Sequence, residues 1–283
     1  MKILVTNDDG IEAPGLWVLV KELQRIGQVV VVAPHQEQSG VGTSISLHRA
    51  IKVSKIEPKL EGVEVYSVEG TAADSVIIAV KSLFPGEIAL VVSGINRGPN
   101  IGRDIFVSGT VGAALQGYLH GIPSIAISMN AYEDLNFDTA AKLAALLAAK
   151  VKDGSLPNKI LLNVNLPNLE VSEIGGVEIT SLSEQSYCDM VEREQDSREE
   201  CYRIRRCGDL HHNKLGGDIW ALQLDRISIT PLFDSSTVNS IQHCLQELAP
   251  VIYNELGSYV SNHLSRSPNC RLLHHIKCHR ARC

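Results

Sequence analysis

The sequence predicts an α/β protein with a Rossmann-like, mostly parallel sheet flanked by helices, a projecting antiparallel β arm and a C-terminal helix. Between residues 3 and 164, short apolar runs rich in β-branched residues alternate with segments of helical spacing. The first strand, helix and strand fit within 33 residues, as in a right-handed βαβ unit. After about residue 175 this alternation stops and several strand-like segments follow one another, which indicates the arm.

The parallel strands are predicted from apolar runs that carry no charge. They lie at 3–5, 29–33, 88–92, 122–128 and 160–164. Two further strands, expected to be more exposed than the apolar ones, are predicted at 43–53 and 63–68 from their mixture of polar and apolar residues. The strands predicted for the arm lie at 177–182, 200–206, 218–224 and 226–230.

The helices are predicted from apolar residues that recur every three or four positions. They lie at 14–26, 71–82, from 108 onward, 138–151 and 238–256. The first helix has Pro14 in its opening turn and Gly27 at its end, and the second has Thr71 as its N-cap.

These elements divide the chain into one α/β domain and a tail. The domain spans 1–257, with a core at about 1–170, an arm at about 175–232 and the helix at about 238–256. The tail, 258–283, is basic and contains cysteines and histidines, and we expect it to be a flexible appendage. Zinc binding by this tail is the less favoured alternative, because its ligand spacing fits no standard zinc finger.

Composition excludes several classes of function. The 283 residues are 44% hydrophobic and 20% charged, which is typical of a globular protein. A net charge of −6 argues against a stable nucleic-acid complex but not against binding of one small phosphate ester. No run reaches membrane-spanning length and no signal peptide is visible, so we expect a cytoplasmic protein without a membrane partner. The 7 cysteines are accordingly expected to be reduced thiols.

Thr-Asn-Asp-Asp-Gly at 6–10 directly follows the first predicted strand. Neighbouring strand residues point to opposite faces, so Asp8 and Asp9 can share one site only if the chain leaves the strand near Asn7. Gly10 permits the sharp turn that this requires. A hard divalent cation would offset the repulsion between the two carboxylates. The alternative is a solvated turn without a ligand.

Other polar residues follow buried strands in the same way. Ser39 and Asn96 each come after one, and in an open parallel sheet those ends share one edge, where ligands bind. Two carboxylates, a hydroxyl and an amide oxygen select Mg²⁺, Mn²⁺ or Ca²⁺ over zinc. Ser-Gly-Thr at 108–110 opens a helix whose N-terminus suits a phosphate. The residues therefore predict a metal-plus-phosphate site.

Several ordered blocks also resemble a known family. The blocks are MKILVTNDDG at 1–10, VAP followed by QSG at 32–40, VEGT at 68–71, VSGIN at 92–96 and SGTVGAA at 108–114. Together they are similar to the signature blocks of the SurE (survival protein E) family. Weaker similarity continues through 187–193 and 229–232, so the resemblance spans about 1–257.

The resemblance implies a metal-dependent phosphatase that hydrolyses nucleoside 5′- and 3′-monophosphates. It implies one divalent cation per subunit, Mg²⁺ or Mn²⁺, with ligands at Asp8, Asp9, Ser39 and Asn96. It places phosphate binding at Asn96, Ser108, Gly109 and Thr110. It further implies a homodimer or homotetramer in which the late strands and the terminal helix are exchanged between subunits.

The chain departs from the family pattern in three places. Ala72 and Ser75 replace the usual Pro and Cys, which should affect helix packing alone. Gln36 and Gln38 replace arginines, so extra phosphate contacts from that loop are not expected. The segment 207–213 resembles an insertion that could alter the arm.

Two catalytic routes follow from a carboxylate pair. Either Asp8 or Asp9 takes a proton from water that attacks phosphorus directly, or Asp8 is the nucleophile and forms an aspartyl-phosphate. Other functions compatible with the scaffold are a broader phosphate-monoester or short-chain polyphosphate phosphatase and a catalytically silent nucleotide or metal sensor. His35 lies near the expected site, but a solvated loop histidine is the preferred interpretation.

Overall fold

A computed structural model of the chain describes residues 1–184, 188–194, 200–207, 215–232 and 235–264. The predictions for Tyr187, for most of the insertion-like segment and for the tail from 265 onward lie outside these residues.

A nine-stranded sheet forms the centre of the molecule, in the order β3-β4-β2-β1-β5-β6-β7-β11-β8. Its strands are β1 Lys2–Thr6, β2 Gln28–Pro34, β3 Val53–Ile56, β4 Glu64–Val68, β5 Ile88–Arg97, β6 Ser124–Asn130, β7 Leu161–Pro167, β8 Val177–Ile179 and β11 Ile227–Pro231. A separate antiparallel pair consists of β9 Cys188–Glu194 and β10 Cys201–Cys207. The helices are α1 Pro14–Leu23, α2 Ala72–Ile78, α3 Gly109–Leu119, α4 Asp138–Lys152, α5 Asp218–Gln223 and α6 Ser235–Leu264.

The six central strands run parallel, and the chain changes direction across the sheet beside β1. From β1 the chain builds outward through β2 and β4 on one side, and then through β5, β6 and β7 on the other. The gap between the ends of β1 and β5 is therefore the topological switch point, where ligands bind in open α/β sheets.

Helices cover both faces of the sheet. Ile3 and Val5 belong to a core cluster that includes residues of α1, α4 and α6. Leu4 points to the opposite face and packs in a second cluster with residues of α2. This two-sided burial explains why the parallel strands are continuous apolar runs.

The mostly parallel α/β fold, the antiparallel pair and the C-terminal helix confirm the predicted fold class. The antiparallel pair comprises only β9 and β10, because β8 and β11 join the main sheet, where β11 pairs antiparallel with β7. The division of the chain into core, arm and tail remains a prediction.

Two predicted strands are wrong. The segment predicted as a strand at 218–224 is helix α5, whose Asp218 accepts hydrogen bonds from the backbone N–H groups of Gly102 and Ser183 at 2.8 and 3.0 Å. The segment at 43–53 forms no strand before Val53, because Asp74 of α2 accepts bonds from the backbone and hydroxyl of Ser46 at 2.9 and 2.8 Å.

Candidate active site

A cavity of about 670 Å³ lies at the carboxyl ends of β1 and β5. Five of the predicted site residues line it: Asp8, Asp9, Ser39, Asn96 and Ser108. Gly109 and Thr110 are buried at the start of α3. They contact Asp8 but do not themselves line the cavity. The structure therefore brings together residues that the sequence separates by about 100 positions.

The turn after β1 directs both carboxylates to this cavity. β1 ends at Thr6, and the Asn7 side-chain amide donates to the Gly10 carbonyl oxygen at 2.9 Å. Gly10 has a φ of +96°, a conformation that other residues rarely adopt. The predicted sharp exit from the strand is present.

Asp8 is 4% exposed and contacts the first turn of α3. The Thr110 hydroxyl donates a hydrogen bond to Asp8 Oδ1. A Cβ on Gly109 would lie 2.8 Å from both Asp8 Cβ and Asp8 Oδ2, so only glycine permits this approach. Ser108 is the N-cap, and its hydroxyl accepts from the Val111 N–H at 3.1 Å.

Burial raises the pKa of Asp8 from 3.8 to about 6. The Thr110 hydrogen bond opposes this rise, and the negative charge of Asp9 adds to it. Burial also raises the pKa of Asp9, against the effect of the Arg97 guanidinium. Both carboxylates thus lie where a bound cation would favour their charged forms.

Arg97 lines the cavity and contacts Asp9, although the sequence did not single it out. Its Nε lies 3.4 Å from Asp9 Oδ1, its backbone N–H donates to Asp9 Oδ2 at 3.4 Å, and its Nη2 lies 3.6 Å from Glu37 Oε2. Its position directly after Asn96 was the available signal, because a cation beside an expected phosphate site is chemically reasonable.

Asn96 and Ser39 supply the neutral oxygens. The Asn96 side-chain nitrogen donates to the Gly98 carbonyl oxygen at 2.8 Å, which leaves its amide oxygen for a ligand. The Ser39 hydroxyl donates to Glu37 Oε1 at 2.8 Å. Asn96 lies inside β5 rather than after it, beyond a register irregularity between Ser93 and Asn96.

This donor set fits a hard divalent cation. Two carboxylates, one amide oxygen and one hydroxyl border the same cavity, and oxygen donors are what Mg²⁺ and Mn²⁺ prefer. The described residues include no group of three or more His, Cys, Asp or Glu that could hold a metal. Any cation bound here would therefore depend on the neutral oxygens as well as on the two carboxylates.

Further residues outside the predicted set line the cavity. They are Glu37, Gly40, Arg97, Gly98, Pro99, Asn100, Asp104, Val107, Tyr132, Asp189 and Ile204. Tyr132 follows β6, the next strand along the same sheet edge, so the rule that located Asn96 could have found it. Asp189 and Ile204 come from β9 and β10, and no local pattern relates them to this edge.

His35 is exposed and does not line this cavity. It borders a separate cavity of about 400 Å³ with Arg49 and Glu69, and its Nδ1 lies 3.2 Å from the Ser67 hydroxyl oxygen. Within the described residues, no helix is both long and apolar enough to cross a membrane.

Comparison with known proteins identifies the family to which this chain is similar. A family model described as Survival protein SurE matches residues 3–189. The 5′-nucleotidase SurE of Dehalococcoides mccartyi (strain CBDB1) is 43% identical over 236 residues, which cover 83% of this chain and 89% of the relative. The 5′-nucleotidase SurE of Moorella thermoacetica is 41% identical over 251 residues, which cover 88% and 95%.

A solved structure is similar to this chain as well. The crystal structure of the SurE protein from Aquifex aeolicus matches with a TM-score of 0.71 and 36% identity, and the match covers 86% of this chain and 99% of that one. The family model covers more than half of the chain and these relatives match most of it, so the chain belongs to the SurE family.

Proposed function

We propose that this chain is a metal-dependent phosphatase that hydrolyses nucleoside 5′-monophosphates, and also 3′-monophosphates, to nucleoside and phosphate. Its relatives are named 5′-nucleotidases, which supports the substrate class. The observation that carries the proposal is the pair of buried Asp8 and half-buried Asp9 beside the first turn of α3, in one cavity with Ser39, Asn96 and Ser108.

We propose that Asp8, Asp9, Ser39 and Asn96 hold one Mg²⁺ or Mn²⁺. When bound, such a cation supplies a Lewis acid for a phosphoryl oxygen and lowers the pKa of a water. The family implies this metal, and the oxygen-only donor set supports it.

The two carboxylates have different supports in the structure. The Thr110 hydroxyl fixes the orientation of Asp8, and Arg97 holds Asp9. Either carboxylate can accept the proton of an attacking water, and Asp8 as a nucleophile remains the rival route. The stereochemical course at phosphorus separates the two routes, because one in-line attack by water inverts the configuration of a chiral phosphorothioate substrate, whereas two successive displacements through Asp8 retain it.

The N-terminus of α3 provides the phosphate subsite. Ser108 lines the cavity at the positive end of an 11-residue helix, where phosphate oxygens are stabilised. We assign phosphate contact to Asn96, Ser108 and the backbone of Gly109 and Thr110. The Thr110 hydroxyl is bonded to Asp8, so its main task is to position that carboxylate.

The test is a phosphate-release screen over nucleoside monophosphates, other phosphate monoesters and short-chain polyphosphate, with EDTA or with added Mg²⁺ or Mn²⁺. We expect release from nucleoside monophosphates that EDTA abolishes and Mg²⁺ or Mn²⁺ restores. Asp8→Asn should lose it, whereas Asp225→Asn should keep it, because Asp225 is exposed and its positive φ suits asparagine.

Other outcomes of this screen would replace the proposal. Faster release from polyphosphate or simple monoesters would indicate a broader phosphatase, and nucleotide binding without release would indicate a sensor. We also propose a cytoplasmic homodimer or homotetramer, since the resemblance implies exchange of late elements between subunits. Light scattering of the purified full chain would give the subunit number.

A further inference from the structure

Tyr132 is the aromatic side chain among the described residues that line the catalytic cavity, and the proposed chemistry gives it no task. It follows β6 at the same sheet edge as the carboxylates. Tyr132 is 65% exposed, whereas Asp8 is 4% exposed, so the ring lies at the cavity mouth and the carboxylate at its inner end.

Its surroundings hold the ring in place. A Cβ on Gly98 would lie 2.3 Å from Tyr132 Cε1, and Gly98 has a φ of +91°, so the ring packs on bare backbone. The Gly98 N–H donates to the Ala131 carbonyl oxygen at 2.9 Å, and the Gly98 carbonyl oxygen accepts from Asn96 at 2.8 Å. The ring therefore contacts Gly98, and the carbonyl oxygen of Gly98 is bonded to Asn96, a proposed metal ligand.

The cavity changes character from its inner end to its mouth. Asp8, Asp9 and Asn96 give the inner end carboxylate and amide oxygens. At the mouth, Tyr132 and Ile204 expose 65% and 71% of their surfaces. A ligand that fits both ends has a charged group inside and a flat apolar group outside, as a nucleoside monophosphate has.

We propose that the Tyr132 ring stacks on the base of the nucleotide substrate and so favours nucleotides over phosphate esters that lack a base. This inference rests on the proposed nucleotidase function and names the residue that recognises the nucleoside. Because every base has a π-face, stacking on Tyr132 selects for the presence of a base rather than for its identity.

The experiment compares AMP with ribose 5-phosphate, which keeps the sugar and phosphate but has no base. Wild type, Tyr132→Ala, Tyr132→Leu and Tyr132→Phe are assayed with both substrates at saturating Mn²⁺. Leucine keeps an apolar cover over Gly98 without an aromatic face, and phenylalanine keeps the face without the hydroxyl.

We expect Tyr132→Ala and Tyr132→Leu to lower kcat/KM for AMP about tenfold, chiefly through KM, with ribose 5-phosphate changed less than about twofold. Tyr132→Phe should behave as wild type with both substrates. An equal fall for both substrates would show a merely structural role and overturn the inference, as would unchanged kinetics with AMP in the leucine variant.

A calorimetric titration separates failure of this inference from failure of the proposed function. AMP and ribose 5-phosphate are titrated in EDTA into wild type and Tyr132→Leu. If wild type hydrolyses neither substrate, the nucleotidase proposal fails, and a tenfold weaker AMP affinity in Tyr132→Leu still supports stacking. Equal AMP affinity in the two proteins contradicts it; if EDTA abolishes AMP binding to wild type, the titration is repeated with Ca²⁺ in place of EDTA and judged in the same way.

Discussion

At the residue scale, burial of Asp8 disfavours the charged form of its carboxyl group. Its side chain accepts from the Thr110 hydroxyl, and Asp9 adds a second negative charge nearby. A site of this kind is less stable without a cation than with one, because binding a ligand to the folded state stabilises it. Stability measurements can therefore report on Asp8 independently of turnover.

We predict that Asp8→Asn stabilises the metal-free protein at pH 8. The pKa of Asp8 rises from 3.8 to about 6 on folding, so the folded state binds this proton more tightly than the unfolded state. Stability from this group is lost as the pH rises from about 4 to 6, by about 3 kcal/mol in total. Asp8→Asn should remove this loss, and urea denaturation in EDTA at pH 4 and pH 8 measures it.

The same comparison with Mn²⁺ is the second half of this test. Wild type should gain stability from added Mn²⁺, and Asp8→Asn should gain much less. Asp225→Asn serves as the control and should follow wild type at both pH values. An Asp8→Asn protein that is less stable than wild type at pH 8 in EDTA would contradict this account of Asp8.

Thr110→Val should reduce catalysis while leaving the fold intact. Valine matches threonine in shape but cannot donate to Asp8 Oδ1, so the carboxylate loses a charge-assisted hydrogen bond worth about 1.5–3 kcal/mol. We expect kcat/KM to fall about 10- to 100-fold. The Thr110 bond lowers the pKa of Asp8, so its loss should move the acid limb of the pH profile to higher pH.

Thr110→Ser is the matched control for this change. Serine keeps the hydroxyl, so it should retain most of the activity and the position of the acid limb. If valine and serine gave the same pH profile, the hydrogen bond to Asp8 would have no part in catalysis.

At the element scale, the ends of β1 and β5 and the start of α3 converge because parallel strands place their carboxyl ends on one edge. This is why the sequence could predict Asp8, Asp9, Ser39 and Asn96 as one set. The five apolar strands were found because burial on both faces leaves a continuous apolar run. Such runs are local signals that need no knowledge of distant contacts.

The misassigned elements depend on distant partners instead. Asp74 bonds to Ser46, 28 residues away, and holds that segment out of a strand. Asp218, the first residue of helix α5, accepts a hydrogen bond from the backbone N–H of Gly102, which lies 116 residues away in the sequence. The contact between Arg97 and Asp9 could not be predicted for a similar reason, because the two residues lie 88 positions apart in the sequence.

Gly109→Ala tests the close approach between α3 and β1. The added Cβ would lie 2.8 Å from the Asp8 carboxylate, so the helix start or Asp8 must move. We expect kcat/KM to fall at least about 100-fold, since displacements of about 1 Å cost this much in oriented active sites. Gly257→Ala in α6 is the control, because its Cβ would meet no atom within 4 Å and alanine favours a helix.

A Gly109→Ala protein with wild-type kinetics would show that Asp8 tolerates displacement. It would then be hard to maintain that α3 positions this carboxylate for catalysis.

Asp218→Ala should destabilise the fold through the loop that leads from β5 to α3. Asp218 is fully buried, and its loss leaves the backbone N–H groups of Gly102 and Ser183 without their acceptor. Each unsatisfied buried donor costs about 1–3 kcal/mol, so for the two donors we expect a loss of about 2–6 kcal/mol in urea denaturation. Asp218→Asn keeps one acceptor and should lose less; a change below about 0.5 kcal/mol in Asp218→Ala would contradict this account.

At the scale of the whole molecule, one cavity is lined by residues of the turn after β1, the loop after β2, the end of β5 and the segment after it, the segment after β6, and the pair β9 and β10. The sequence could place the contributions of the parallel strands, because parallel strands end on one edge of the sheet. It could not place Asp189 and Ile204, since nothing local relates β9 and β10 to this edge of the sheet. Tyr132 could have been predicted by the rule that identified Asn96, because it follows a parallel strand at the same edge of the sheet.

The most direct test of the central claim is the anomalous diffraction of Mn²⁺ in crystals grown with that ion. We predict one Mn²⁺ peak per subunit, with carboxylate oxygens of Asp8 and Asp9 and the amide oxygen of Asn96 at about 2.0–2.6 Å and Ser39 beside them. Crystals in which Mn²⁺ binds elsewhere, while the Asp8 and Asn96 side chains stay too far apart to share an ion, would contradict the account.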